Sequence, residues 1–263
     1  MSVTEGETRN RFGISNVLAR AWEVLSANFA FFFVIAVLVG IPMMILQLFY
    51  DPMEVMRLGL NPAAMQSKDG AAYIAGYNRA MALAYPATLV IGLVCYGVCS
   101  LTVFQHLRHE RGALGDNFAQ ALKRFFPLLG ASLLLGLGVG AASILLIIPG
   151  IMLAVRWAIS SQVCVIEKLG PIASLKRSSQ LTKGYRWPLF GLGILIAVVF
   201  GLVPYLLSYL LGLAGGRTVA VVGGLLMHGV FGGYLYCLSV TVYQELRRIK
   251  EGMESPATMA VFD

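Results

Sequence analysis

Charge is scarce in this sequence. Its 20 basic and 13 acidic residues make up 13% of 263 positions, while 58% of the chain is hydrophobic; a soluble globular domain carries about 25% charge. No soluble fold of this length has an interior that could hide so much apolar surface, so the composition requires an integral membrane protein. Signatures of chemistry are missing as well. There is no Gly-x-Ser-x-Gly elbow, no His-Glu-x-x-His motif and no phosphate-binding loop. Gly136-Leu-Gly138-Val-Gly140 lies inside an apolar run with no strand before it, which excludes a dinucleotide loop. The spacing of Gly136 with Gly140, like that of Gly229 with Gly233, suits close helix packing instead. The cysteines, Cys95, Cys99, Cys164 and Cys237, sit in apolar runs and lack metal-site or disulfide-framework spacing. No long apolar segment contains Asp or Glu, which argues against intramembrane acid-base catalysis and proton relays. No enzyme activity, metal or cofactor is expected.

What is abundant is apolar sequence, and its lengths are informative. A membrane span needs about 20 mostly apolar residues. Segments 28–50, 81–104, 187–213 and 219–243 qualify. Residues 127–166 form one apolar run of about 60 Å as a helix, twice the ~30 Å bilayer core, so it must fold back. Pro149-Gly150 is the expected structural turn, giving spans 127–148 and 150–166; the second is short enough that a re-entrant hairpin is an open alternative. The fold class expected is all-α: about six transmembrane helices in three hairpins. The first apolar run is too long for the core of a cleavable signal and is expected to stay as an anchor. The 51–80 connection is expected to hold a short helix or two.

Placing the charges orients the chain. Fifteen of the 20 basic residues fall in the N-terminal segment, the connections after spans two and four, and the C-terminus. Arg57, Lys68, Arg79 and Arg217 fall on the other side, and Arg156 lies within a span. This asymmetry places both termini in the cytoplasm. The net charge of +7 therefore reads as a topology signal, with anionic lipids as cytoplasmic partners and no nucleic acid.

Each hairpin is preceded by a segment with helical spacing. Ile14, Val17, Leu18, Ala21, Trp22 and Leu25 form a continuous stripe. Asp116 is placed to cap a second stripe of Phe118, Ala121, Leu122 and Phe125. Pro171 and Gly184 punctuate a third helix, which has Ser178 and Ser179 where bulky residues would be expected. Amphipathic helices of this kind lie in the membrane interface or dock a partner. The segment Ser100–Arg108 matches Ser239–Arg247 at six of nine positions. The chain thus reads as a single polytopic domain, 1–263, with repeat-like units 14–112, 113–167 and 168–250, a flexible N-terminus 1–13 and a flexible C-terminus 251–263.

The stretch Leu146–Trp187 joins Pro149-Gly150 and Arg156-Trp157 to Glu167, Gly170-Pro171, Arg177-Ser178 and Lys183-Gly184. It resembles the YciC-like bacterial inner-membrane proteins, and the membrane domain attached to some glycerophosphodiester phosphodiesterases. The resemblance implies a polytopic helical protein of the bacterial inner (plasma) membrane, with Glu167, Ser178 and Gly184 in a cytoplasmic motif. It brings no phosphodiesterase activity, because a catalytic barrel of about 250 residues has no room here.

Two intramembrane polar residues are candidate sites. Arg156 lies six residues past Pro149-Gly150, about 9 Å into the membrane, where a charge costs about 2.5–3.5 kcal/mol on insertion scales. It reads either as an anion or lipid-headgroup contact or as a structural guanidinium bracing the turn. His228 lies mid-span among Gly223, Gly224, Gly229, Gly232 and Gly233; it reads as a buried neutral histidine or as a ligand contact. His106, His109 and Glu110 share a helix exit, but Arg108 and Arg111 would oppose a cation, so they read as a solvated end. The function expected is a non-enzymatic lipid-contacting scaffold or partner subunit in membrane and envelope homeostasis, as a homo-oligomer or beside another membrane protein. The alternative is a small-solute or anion transporter or channel.

Overall fold

The computed structural model describes residues 12–110 and 112–252. Expectations resting on Arg9, Arg11, Arg111 and most of both terminal segments lie outside the described residues. All regular structure among the described residues is helical. In chain order the helices are α1 (Ile14–Ala27), α2 (Phe29–Phe49), α3 (Pro52–Leu60), α4 (Pro62–Gln66), α5 (Lys68–Leu107) and α6 (Leu114–Lys123). There follow α7 (Phe125–Leu145), α8 (Ile147–Arg156), α9 (Ser160–Ile166), α10 (Pro171–Leu181), α11 (Arg186–Ile196) and α12 (Val203–Glu251), with a π-helical segment at Ala197–Leu202. Among the described residues five helical stretches are long and apolar enough to cross a membrane, of which the last, Arg186–Glu251, is 66 residues long. Gly216 interrupts it at φ 75° and ψ −176°, a left-handed conformation that glycine tolerates without a Cβ clash.

The chain divides into two compact units. The described residues of the first fall in 12–29, 96–198 and 234–252. Here α1 buries Val17, Ala21, Val24 and Leu25. Its stripe is rotated from the sequence expectation: Trp22 is 59% exposed and its ring packs 6.4 Å from that of Tyr234, while Val24 turns inward. Helix α6 starts one turn earlier than expected, with Ala113 at the cap and Asp116 in the first turn, where a carboxylate complements the helix dipole. Its inward face is Asn117 and Ala121; Leu114, Phe118 and Leu122 are half exposed. The buried Asn117 amide makes a reciprocal pair with Gln105, at 2.8 and 2.9 Å, and donates to Thr102 Oγ1 at 3.1 Å. The larger apolar groups of α6 face outward, and the buried amide is fully partnered and so leaves no unmet hydrogen-bonding demand.

The chain reverses between α7 and α8 at Leu146, whose backbone is extended at φ −157° and ψ 134°. Pro149 and Gly150 occupy the first turn of α8. Proline is tolerated there because its missing N–H would have had no helical partner. Gly150 lets the helices touch: a Cβ would fall 2.9 Å from Ser143 Cα. Further along, Trp157 fills the space beside Gly138, but Gly136 and Gly140 have nothing within 4 Å of a built Cβ. The expected close packing at Gly136 and Gly140 is therefore not made within the chain, and Gly138 makes it instead.

The second unit comprises Ala30–Cys95 and Val199–Gly233. The 51–80 connection carries the two short helices, α3 and α4, as the sequence suggests. Asp51 caps α3 by accepting from Met53 N at 2.9 Å, and Asn61 caps α4 from Ala64 N at 3.3 Å, each followed by proline. On either side of Gly216 the two limbs of α12 pack together. Ser208 Oγ donates to Ala220 O at 2.9 Å, and a Cβ at Gly212 would lie 3.2 Å from that of Ala220.

Candidate functional site

Arg156 is the last residue of α8, so its carbonyl lacks an intrahelical partner. Two hydroxyls of α10 supply one. Ser178 Oγ donates to Arg156 O at 3.1 Å, and Thr182 Oγ1, also 3.1 Å away, shares its proton between that carbonyl and Ser178 O. The Arg156 guanidinium donates to Ser179 Oγ. The small polar residues that looked misplaced on α10 are thus the ones that grip Arg156, and both Ser178 and Thr182 are fully buried in doing so. This geometry favours the bracing role for Arg156.

Glu167 and Gly184 flank the same helix. Glu167 accepts from Arg177 Nε at 3.0 Å and from the Tyr243 hydroxyl at 3.0 Å. Arg177 also pairs with Glu251, which accepts from Arg247 Nε at 2.7 Å, and Arg247 reaches back to the Tyr243 hydroxyl at 3.3 Å. The result is a closed ring of two carboxylates, two guanidiniums and a phenol. Burial opposes the charge on Arg177, but its hydrogen bonds to Glu251 and Glu167 outweigh this and raise its pKa. Burial likewise opposes the Glu251 carboxylate, and its two arginines outweigh that and hold its pKa below the ordinary value. Gly184 follows α10 at φ 92°, which lets the chain turn out of the helix without strain. At the exit of α5, His106 Nδ1 lies 3.5 Å from Asn28 Nδ2 and Glu110 pairs with Arg108 at 3.1 Å, so the structure gives His106 and Glu110 separate protein partners.

His228 lies in the second unit and lines a cavity of about 780 Å³, within the range of small-molecule sites; it is exposed to that cavity and is not the buried histidine that the sequence suggests. Its ring rests against Gly40, where a Cβ would come within 3.1 Å of the imidazole. The walls are mostly apolar, with Met43, Met44, Val221 and Leu225 among them, and with the exposed rings of Tyr205 and Tyr209. Gln47, Asp51 and Arg217 set the rim. The Arg217 guanidinium donates to Gln47 O and so caps the C-terminal end of α2, where a cation is favourable.

Beyond His228 the helices close. A Cβ at Gly229 would fall 2.7 Å from both Phe33 and Val37, one at Gly232 3.2 Å from Ala36 Cβ, and one at Gly233 3.2 Å from Phe32 Cβ. Phe32 and Ala36 are fully buried. The cavity lining includes Val39 on α2 and His228 on α12 but not Phe32, Ala36, Gly229 or Gly233, so the glycine seam lies outside it. The structure therefore brings Arg156 and Ser178 together, holds Glu167, at the end of α9, against Arg177 of the same α10 helix, and gives His228 a separate site. Sequence reasoning missed Thr88, which also lines the cavity, and the rim pair of Asp51 and Arg217. The Asp51-Pro52 dipeptide was readable as a helix start, but nothing in the sequence marks Thr88. Compared with protein-family models, curated proteins and solved structures, the chain gives no match in any of the three.

Proposed function

We propose that this chain is a non-enzymatic, multi-pass protein of the bacterial inner membrane that holds an amphipathic lipid in the His228 cavity and acts as a lipid-contacting scaffold or partner subunit in envelope homeostasis. The YciC-like resemblance belongs to this proposal. The observation that carries it is the cavity with the seam beside it: apolar walls suit a lipid body, and Gly229, Gly232 and Gly233 pack tightly against α2 beyond His228. The alternative, a small-solute or anion transporter, draws support from a cavity that reaches mid-span but requires a second opening.

In this reading three membrane hairpins, each preceded by an amphipathic helix (α1, α6 and α10), leave both termini in the cytoplasm beside anionic lipids, with a second copy or another membrane protein as neighbour. The α7–α8 hairpin turns inside the bilayer. Helix α8 itself is only about 15 Å long, and the 20-residue stretch Ile147–Ile166 reaches span length only when α9 is added. It ends where Arg156 meets α10, and the exposed Lys176, Gln180 and Lys183 of α10 need water. Its tip, Ile144 to Ile148, is 66–88% exposed and wholly apolar, as lipid contact requires.

Lipid co-purification tests the function. Val221→Trp fills the cavity, and mass spectrometry of the purified chain is expected to show loss of a lipid that the wild type retains. Unchanged lipid content, or flux of a small anion through proteoliposomes, would overturn the proposal.

A further inference from the structure

The cavity has polar groups along its length, and among the described residues Thr88 Oγ1 is the buried side-chain atom of the lining left without a partner. At the rim, Arg217 is engaged with the Gln47 carbonyl and Asp51 with the Met53 amide. Among the described residues these are also the only formally charged ones of the lining, opposite in sign, and Arg217 lies about 16 Å along α12 from His228. On the wall, Ser208 donates to Ala220 O. At the floor, His228 makes no hydrogen bond among the described residues. Thr88 Oγ1 is buried and has no hydrogen-bond partner among the described residues. Two other helical threonines satisfy themselves locally: Thr102 donates to Val98 O at 2.9 Å and Thr241 to Cys237 O at 2.8 Å, each four residues back. Thr88 does not, although it lies in the same long helix as Thr102. A buried hydroxyl left without a partner is destabilising, and it is an unmet demand that a ligand can meet.

We infer that the cavity binds its ligand head-inward: a neutral oxygen-bearing head on an apolar body, such as a long-chain quinone or a fatty or prenyl alcohol, hydrogen-bonded at the floor by Thr88 Oγ1 and the His228 imidazole. The inference rests on the reading of the cavity as a lipid site and specifies its ligand. A carbonyl or hydroxyl oxygen accepts from Thr88 while the imidazole, in whichever tautomer the head requires, donates or accepts. An anionic head is disfavoured at the floor, because no cation lines it and desolvating a charge there would go uncompensated. It is disfavoured at the rim because Arg217 is already committed to the end of α2. The apolar body lies along Leu225, Val221 and Met43 towards the mouth.

The test is equilibrium binding to the full chain in nanodiscs, using decyl-benzoquinone, decanol and decyl phosphate as probes. The quinone, the alcohol or both are expected to bind, and which of them does identifies the source of the head; decyl phosphate is expected to bind at least about tenfold more weakly. Thr88→Val keeps the side-chain shape and removes one hydrogen bond, so affinity should fall about five- to tenfold. His228→Phe should lower it similarly, and Arg217→Ala should leave it within about twofold. Tighter binding of decyl phosphate, or loss of binding in Arg217→Ala with Thr88→Val unchanged, would overturn the head-inward inference while leaving the cavity as a lipid site. Failure of all three probes to bind, together with no lipid retained by the wild type, would overturn both.

Discussion

Replacing Gly233 with leucine puts a side chain where the second unit has no space. A Cβ at 233 already sits 3.2 Å from Phe32 Cβ and 3.3 Å from the Phe32 carbonyl carbon and oxygen. Those last two atoms are backbone, so they yield only if α2 moves. The three further carbons of leucine then meet a fully buried ring. Overpacking of this kind costs about 1–3 kcal/mol, and with backbone resisting the upper part of that range applies. Leucine recovers roughly 0.8 kcal/mol over glycine in helix propensity. The net loss is about 2 kcal/mol, some thirtyfold in the folding equilibrium. Gly136 on α7 is the matched control. It has nothing within 4 Å of a built Cβ, so Gly136→Leu should gain the propensity term and become slightly more stable. Reversible unfolding in mixed micelles, followed by far-ultraviolet circular dichroism, measures both. The two substitutions should shift stability in opposite directions. Equal effects, or a destabilising Gly136→Leu beside a silent Gly233→Leu, would refute the packing argument.

Further outcomes follow from the first unit. Ser178→Ala removes one of the two hydroxyls on the Arg156 carbonyl and should cost about 1–2 kcal/mol in the same unfolding assay, whereas Ser179→Ala, at a half-exposed position, should cost less. Glu251 has a lowered pKa in the folded chain, so its ring contributes stability that is present above the ordinary carboxylate pKa and is lost as pH falls through the lower folded value. The stability gap between wild type and Glu251→Gln should therefore be constant near neutrality and close in acid, as read from unfolding midpoints across pH. A fluorophore on Ile147→Cys should be quenched best by mid-chain nitroxide lipids and be unreactive to impermeant maleimide from either side; labelling from outside would mean that the α7–α8 hairpin crosses fully.

Much of the fold was readable because apolar length and helical spacing are local properties. The break at Gly216, the short helices after Asp51 and Asn61, and the start and stop of α10 at Pro171 and Gly184 follow from chain chemistry within a few residues. Rotation about a helix axis was less readable. Trp22 fits the apolar stripe of α1, but its size and ring contact with Tyr234 place it outside, and Val24 takes the inner position. Pro149 marks a helix start and not the reversal itself, since proline suits a first turn and the extended residue is Leu146. Equal spacing hid unequal packing: Gly229 and Gly233 meet α2, whereas Gly136 and Gly140 meet nothing in the chain. Ser178 and Ser179 were visible as anomalies, but their target, Arg156, is an earlier residue on another helix. The cavity was the least legible feature. It assembles residues from 39 to 228, and the property that distinguishes Thr88, an unpartnered hydroxyl, exists only once the helices are in place.

In the proposed reading the His228 cavity opens on the Asp51 and Arg217 side and is closed by the glycine seam beyond His228. Cysteine accessibility tests it directly, in a background whose four buried native cysteines are replaced by alanine. Ser208→Cys, on the cavity wall, should react with a water-soluble thiol reagent applied from the Asp51 and Arg217 side. Ala36→Cys, in the seam below His228, should remain unreactive from both sides. Reaction at position 36 from either side would reveal a continuous aqueous path and contradict the account.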